Sequence, residues 1–438
     1  MQGPQKRSSA EADVAADGED PLVIRPLGGG LEVGRSCIHL EYKGKSILFD
    51  CGIHPGYRGE DSIPRGLHSE NVDLSKVDVC LVTHFHLDHV GALPYLTEKT
   101  NFKGAVFMTY PTWCVMKLLL SDYIRVSNVD GQNQLFTEED LRRCLLKCKC
   151  IRYHVEHTHK GIRFRCFPAG HVLGAAMFDV NIAGQKILYT GDFSCTDDRH
   201  LLPAKVPTDY HPDCVVMEST MGTRNHPNQE RRERELLKYV EQTLHPPNGG
   251  RPGRVLIPIW ALGRAQEIQL ILDEHWGKHK RLQRFPIYYT FVSCSAVFGL
   301  TVCLLTRCLH RNRSKMAKKA MAVYRTETQM MNENVKSKRT NPFNFRFIKE
   351  LSGVRFFDDS RPCVVLATPG MLQSGDSRFL LEQWCSDPAN RVLLVGYAVD
   401  QTLAHRIRAK PPEFIEALDG EQEHVGFVLL HTWRLHCL

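Results

Sequence analysis

The segment Leu81–Val90, LVTHFHLDHV, places three histidines and an aspartate within six positions, directly after an apolar run. Imidazoles clustered with a carboxylate form the ligand set that Zn²⁺ prefers. The chain has twenty-one histidines, so two or three neighbours alone would carry little weight. The pattern His84-x-His86-x-Asp88-His89 behind a strand is specified far more tightly than a chance surface cluster. Later segments follow the same grammar, a β-rich run ending on a candidate ligand. FRCFPAGH ends on His171, KILYTGD ends on Asp192, and the earlier SILFD ends on Asp50. Each of these alone reads equally well as a capping or solvated residue. Together they supply two ligand sets: His84, His86 and His171 for one ion, Asp88 and His89 for another, with Asp192 as the bridge. Two ions roughly 3.5 to 4 Å apart generate a nucleophile from water at neutral pH and clamp a phosphoryl transition state.

Such residues need strand ends to present them. From Leu22 to about Cys214 the chain alternates short β-rich runs with turn residues, among them KSILFDCG, VDVCLVTH, GIRFRCFPAGH and QKILYTGDF. Helical stretches at Tyr110 to Tyr123 and Thr137 to Lys149 interrupt them, the second opening on TEED, an N-cap followed by acidic first-turn residues. After Met221 the text changes. A polar-faced helix carries Leu236, Leu237, Val240 and Leu244, and the strand-like RVLIPIW, FPIYYT, PCVVLATPG and RVLLVGY then alternate with helices. That is the βαβ rhythm of a parallel sheet. The expected organisation is a polar, disordered tail over 1–20, a sheet-rich domain over 21–220, an α/β domain over 221–400, and a last part over 401–438.

At 438 residues, with 42% hydrophobic and 24% charged residues, the chain suits two or three soluble globular domains. The net charge of +7 fits a polyanionic partner but is common in proteins that bind none. Sixteen cysteines are scattered with no regular framework, and Cys37, Cys51, Cys80, Cys166 and Cys363 sit in apolar runs. Free thiols there act as small core residues, the usage of a reducing compartment. The N-terminal segment lacks the apolar stretch of a secretory signal. Phe291 to Thr306, FVSCSAVFGLTVCLLT, falls short of the roughly twenty apolar residues that span a bilayer, so no membrane partner is expected.

The set His84-x-His86-x-Asp88-His89, His171 and Asp192 resembles the signature of the metallo-β-lactamase fold, an αββα sandwich with its metals at one edge. VVMESTMGTR with Glu218, IPIWALGRAQE and ATPGMLQSG resemble the β-CASP insertion of its nucleic-acid-cleaving members. From about Val23 to Gly420, stretches such as LVIRPLGGGLEVGRSC, FDCGIHPG, AGHVLGAAMF and NPFNF resemble the endonuclease subunits of cleavage and polyadenylation complexes. Integrator endonucleases are the nearer relatives of that group and RNase J-like enzymes the more distant ones.

The resemblance implies an α/β protein: a metallo-β-lactamase sandwich over 21–220, an inserted β-CASP domain with a parallel sheet over 221–400, and a partial return to the sandwich over 401–438. It implies a nuclear, zinc-dependent endoribonuclease that cuts pre-mRNA before polyadenylation and leaves a 5′ phosphate. Its partners would be RNA and other subunits of the complex, an inactive paralogue included. Two Zn²⁺ ions would be held by the residues named above. Asp88 would act in catalysis as well as ligation, with Asp50 supporting the ligands from behind. In LLVGYAVDQTLAHRIRAK, His405 would protonate the leaving oxygen, oriented by Glu218. RNA would lie between the domains, with Arg224, Arg264 and Arg406 as candidate phosphate contacts.

Two departures stand out. About twenty extra residues, 290–313, read as an insertion that the fold need not use. The family's SFSAHxD turn, whose histidine completes the second metal site, is not found before the final ALDGEQEHVGFVLLHTWRLHCL. His424, His431 and His436 lack its surroundings. The expectation is an incomplete C-terminal part of the sandwich and a weakened second site. Open alternatives are an Integrator-type nuclease, an inactive scaffold, and a hydrolase of other substrates; the β-CASP-like text disfavours the last.

Overall fold

The computed structural model describes residues 20–438 apart from 55, 69–71, 128–133, 224–227, 261, 291–317, 352–353, 355–356, 397, 399–401, 410–413, 417–421, 425–427 and 431–438. Three sheets dominate. The first contains β1 (Val23–Gly28), β2 (Cys37–Tyr42), β3 (Lys45–Phe49), β4 (Val79–Leu81), β5 (Ala105–Thr109) and β6 (Cys148–Ile151) in that order. Pairing is antiparallel from β1 to β3 and parallel from β3 to β6. The second contains β7 (His157–His159), β8 (Ile162–Pro168), β9 (Ala176–Ile182), β10 (Gln185–Tyr189) and β11 (Cys214–Val216), with only the last pair parallel.

Strand alternation explains why these two sheets stack. Side chains in a strand point to opposite faces in turn, and Ile47 and Phe49 of β3 join Val79 and Leu81 of β4 in a core shared with Phe164, Phe178, Val180, Ile187 and Tyr189 of the second sheet. The rings of Phe49 and Tyr189 stack at 4.3 Å between centroids. The intervening Leu48 and Cys80 face the other way, into a core with Val90, Leu93, Met116 and Leu120 from the covering helices. Burying each large apolar side chain contributes about 1.5–3 kcal/mol, so the alternation itself fixes the register.

The helix Glu138–Lys147 begins where the sequence marks it. Asp140 N–H donates to Thr137 Oγ1 at 3.1 Å, and Thr137 N–H donates to Asp140 Oδ2 at 2.9 Å, a reciprocal capping box. Thr137→Ala should lower the stability of the chain by about 1 kcal/mol in denaturant unfolding, because one orphan amide loses its acceptor.

The third sheet is wholly parallel. Its strands are β12 (Val255–Pro258), β13 (Ile287–Thr290), β14 (Ile348–Leu351), β15 (Val364–Ala367), β16 (Arg391–Leu393) and β19 (Val428–Leu430), in the spatial order β14-β13-β15-β12-β16-β19. A separate antiparallel pair comprises β17 (Phe414–Glu416) and β18 (Gln422–His424). Val255 and Ile257 pack with Leu236, Val240, Ile268 and Leu272, from the helices Gln229–Leu244 and Arg264–Lys278. Leu256 faces Leu380, Leu381 and Trp384, from the helix Gly375–Trp384. A strand covered on both faces is apolar throughout, which is why RVLIPIW shows no alternation.

The last part of the chain differs from the sequence expectation of a return to the sandwich over 401–438. Leu403, Ala404 and Ile407 of the helix Leu403–Ala409 are buried with Leu256 and Val365 under the third sheet, and β19 pairs with β16 of that sheet. The apolar Val428–Leu430 run extends an open parallel edge, so tertiary pairing decides its place. Of the expected insertion, Thr290 closes β13 and 291–313 lie outside the described residues. His431, His436 and the tail 1–19 lie outside them as well. Among the described residues no helix is long and apolar enough to cross a membrane, and the described cysteines are free.

Candidate metal centre

Each candidate ligand stands just beyond the carboxyl end of a strand. Asp50 follows β3, Thr83 to His89 follow β4, His171 follows β8 and Asp192 follows β10. Backbone hydrogen bonds from the neighbouring loops lock the histidine-rich segment: Ser36 N–H donates to Asp88 O at 2.8 Å, Cys51 N–H to His89 O at 2.8 Å and Ile53 N–H to Leu87 O at 2.9 Å. So close an approach needs glycine at position 52, where a Cβ would lie 1.6 Å from Asp88 O. The ligand loop is thus fixed by backbone contacts before any side chain is considered.

Three imidazole nitrogens converge. His84 Nε2 lies 3.0 Å from His86 Nδ1, and His171 Nε2 lies 3.1 Å from the same atom. Asp192 Oδ2 stands 3.8 Å from His84 Nε2 and 3.6 Å from His171 Nε2. Four donors at zinc distances of about 2.0–2.1 Å from one tetrahedral ion sit about 3.3 Å apart, so these spacings suit one ion. Asp192 Oδ2 is also buried with no hydrogen-bond partner. A buried, unpartnered carboxylate oxygen facing three nitrogens is what a cation would satisfy, so the residues fit a divalent metal.

The other oxygen of Asp192 turns toward the second set. Asp192 Oδ1 is 3.4 Å from His89 Nε2, which is 3.6 Å from Asp88 Oδ2. One carboxylate therefore faces both groups, the geometry of a bridge. Asp50 supports this arrangement from behind. It is fully buried at a positive φ of 60° and accepts from His89 Nδ1–H at 2.9 Å, from Thr83 N–H at 2.7 Å and from Tyr189 OH at 3.2 Å. Thr83 Oγ1 donates to Asp50 Oδ2 at 2.9 Å and accepts from His84 Nδ1–H at 3.0 Å. These bonds place a proton on Nδ1 of both His84 and His89 and turn both Nε2 atoms toward the centre. Asp50→Asn should therefore weaken metal affinity about 10–100-fold, measured by competition with a chelating dye, because an amide has one acceptor oxygen where the carboxylate uses two.

Electrostatics agree with that assignment for His84, whereas His89 carries a second proton on Nε2 that ligation would displace. Burial, reinforced by neighbouring imidazoles, holds His84 well below its ordinary pKa. Burial likewise lowers His171, and it brings His86 down to about 4, with Asp192 partly opposing both shifts. These three imidazoles are neutral at physiological pH, as ligation requires. Burial raises Asp88 to about 6, against the pull of His89. Burial alone would lower His89, but Asp192, Asp88 and Asp50 outweigh it and raise it well above its ordinary value. Asp192 is lowered because the surrounding histidines overcome its desolvation.

Other candidates occupy different settings. Glu218 stands half-buried two residues after β11, its carboxylate accepting from Thr220 N–H at 3.1 Å, its pKa raised by burial and by Asp192. His405 is half-buried on the helix Leu403–Ala409, its backbone N–H donating to Thr402 Oγ1 at 3.2 Å. Arg406 is exposed beside it, and Arg224 lies outside the described residues. Arg264 corrects the expectation of a free phosphate contact. Its side chain is 10% exposed, pairs with Asp198 and Glu267, and donates to Gly170 O at 3.4 Å. It ties the first helix residue after Gly263 to the loop that carries His171. Gly263 itself has φ of 103°, and a Cβ there would meet Val172 at 2.9 Å and His86 Nε2 at 3.4 Å. The supporting roles of Thr83 and Tyr189 have no local signature in the sequence. Thr83 adjoins His84, so its place beside the ligands is local, whereas Tyr189 is 139 positions from Asp50.

Comparison with known proteins bears on the same residues. The metallo-beta-lactamase superfamily domain matches 39–218 and the Beta-Casp domain matches 265–407. The chain is a β-CASP member of the metallo-β-lactamase superfamily. This β-CASP protein is 44% identical over 418 residues to cleavage and polyadenylation specificity factor 73 of Drosophila melanogaster, covering 95% of the chain and 56% of that protein. It is 47% identical over 405 residues to cleavage and polyadenylation specificity factor subunit 3 of Dictyostelium discoideum, covering 92% and 48%. It is 45% identical over 419 residues to endoribonuclease ysh1 of Schizosaccharomyces pombe, covering 95% and 51%. The β-CASP chain spans about half the length of these curated relatives.

Proposed function

We propose that the chain is the catalytic region of a zinc-dependent endoribonuclease that cleaves pre-mRNA for 3′-end processing. The observation that carries this reading is Asp192, whose two oxygens face two separate ligand groups. The relatives support the substrate, since their names specify cleavage and polyadenylation or endoribonuclease activity rather than an Integrator role. The three imidazoles of the first set favour Zn²⁺ over harder cations.

Zinc bound there would supply a nucleophile from water near neutral pH and neutralise charge on the phosphodiester. The chain's own residues do the positioning. His84, His86 and His171 would hold one ion and Asp88 with His89 the other, with Asp192 facing both groups. Asp50 holds the His89 proton on Nδ1 throughout. His405 would give its proton to the leaving ribose oxygen, with Glu218 orienting it, and the cut would leave a 5′ phosphate and a 3′ hydroxyl. Arg264 keeps the β-CASP helix docked against the His171 loop, so it acts on the site without meeting RNA. The protein would work in the nucleus beside other cleavage and polyadenylation subunits, an inactive paralogue among them.

The test is cleavage of an end-labelled RNA by the zinc-loaded chain, before and after chelation, with the product ends mapped. Cleavage restored by zinc and yielding 5′ phosphates supports the reading. A fully zinc-loaded chain that binds RNA and never cuts it would make the protein a scaffold instead.

A further inference from the structure

A second group of ligand-type side chains lies in the β-CASP domain. His275 sits in the helix Arg264–Lys278, and His279 caps its C-terminus four positions on. Residues four apart share a helix face, and the two rings stand 4.1 Å apart between centroids. Glu241 faces them from the helix Gln229–Leu244. One ligand atom from each of the three lies within 4.8 Å of the other two.

The hydrogen bonds decide which atoms are available. His279 Nδ1 is 2.9 Å from His275 O, so Nδ1–H donates to that carbonyl and the Nε2 lone pair is left over. A carbonyl holding the far nitrogen is the usual support of a metal-binding histidine. His275 Nε2 and Glu241 Oε1 share a proton at 2.6 Å, and the second oxygen of Glu241 is held by Arg281. The side chains of His275 and Glu241 are 13% and 23% exposed, enough for an ion to reach them.

We propose that Glu241, His275 and His279 form a divalent-metal site that takes Zn²⁺, separate from the centre at Asp192. Two imidazoles with one carboxylate are a zinc-type donor set, with water in the fourth position. Binding takes the Nε2 lone pair of His275, whose ring stays neutral because its proton passes from Nε2 to Nδ1 through solvent, and nothing is oxidised or reduced. Arg281 opposes the cation electrostatically while it fixes the carboxylate. The ion would clip together the two helices that cover one face of β12, a structural role independent of RNA cleavage.

The experiment loads the chain, His279→Ala and Glu241→Gln with zinc, removes loosely held ions by desalting, and counts zinc per chain by elemental analysis. Each variant should hold one zinc fewer than the parent, and its affinity for that ion should fall at least about tenfold. His86→Ala should keep this ion while losing zinc at the other centre. Retention of the full parental zinc content by either folded variant would overturn the site. Should His279→Ala fail to fold, Glu241→Gln decides alone, because it keeps the size of the side chain and its oxygen for Arg281.

Discussion

Asp192→Ala is expected to abolish RNA cleavage, with a loss on the order of a thousandfold or more, and to lower the zinc bound at this centre. Asp192 faces both ligand groups, with Oδ2 toward His84 and His171 and Oδ1 toward His89. Its removal leaves three neutral imidazoles on one side and a histidine with a single carboxylate on the other, with no anion between them. Two-metal stabilisation of a phosphoryl transition state is worth several kcal/mol, and each 1.4 kcal/mol or so is tenfold in rate. His86→Ala should lose activity to a similar extent, since His86 Nδ1 is the atom that both His84 and His171 approach. Single-turnover cleavage and zinc counting on the same preparations check this. A variant that loses a zinc ion yet cleaves at the parental rate would sink the two-metal reading.

Gly52→Ala should be the most destabilising small change near the centre, by about 3 kcal/mol or more in denaturant unfolding. The added Cβ would lie 1.6 Å from Asp88 O and 1.9 Å from its carbonyl carbon. Those are backbone atoms, so no rotamer change relieves the collision. Either the segment after β3 or the helix that carries Asp88 and His89 must move, and the bonds from Cys51 N–H and Ile53 N–H to that helix go with it. The folded fraction should therefore bind zinc more weakly as well. An alanine variant with unchanged stability and unchanged zinc affinity would show that these backbone contacts do not set the ligand loop.

Much of this centre was legible in the sequence because the ligands obey local rules. The strand that precedes His84 is apolar on both faces, and the loop after it must turn at once, so spacing alone grouped His84, His86, Asp88 and His89. His171 and Asp192 follow the same grammar of a strand ending on a candidate ligand. Their support was less visible. Asp50 stood out only as another strand-end acid, and nothing local says that it binds the His89 proton, a residue 39 positions away. Arg264 reads in sequence as one more exposed base, yet Asp198, 66 positions earlier, buries it at the seam.

The sequence by itself determined the two-part α/β architecture, the apolar alternation that builds the sandwich, the unbroken apolar strands of the parallel sheet and the identity of the candidate ligands. These follow from periodicity and side-chain chemistry, which are local. Tertiary structure alone decided which oxygen of Asp192 faces which ligand group, where the protons of His84 and His89 reside, and that Leu403–Ala409 and Val428–Leu430 join the third sheet. Each of those depends on partners brought together from distant strands, and the free energy of such a contact exists only once the chain has closed around it.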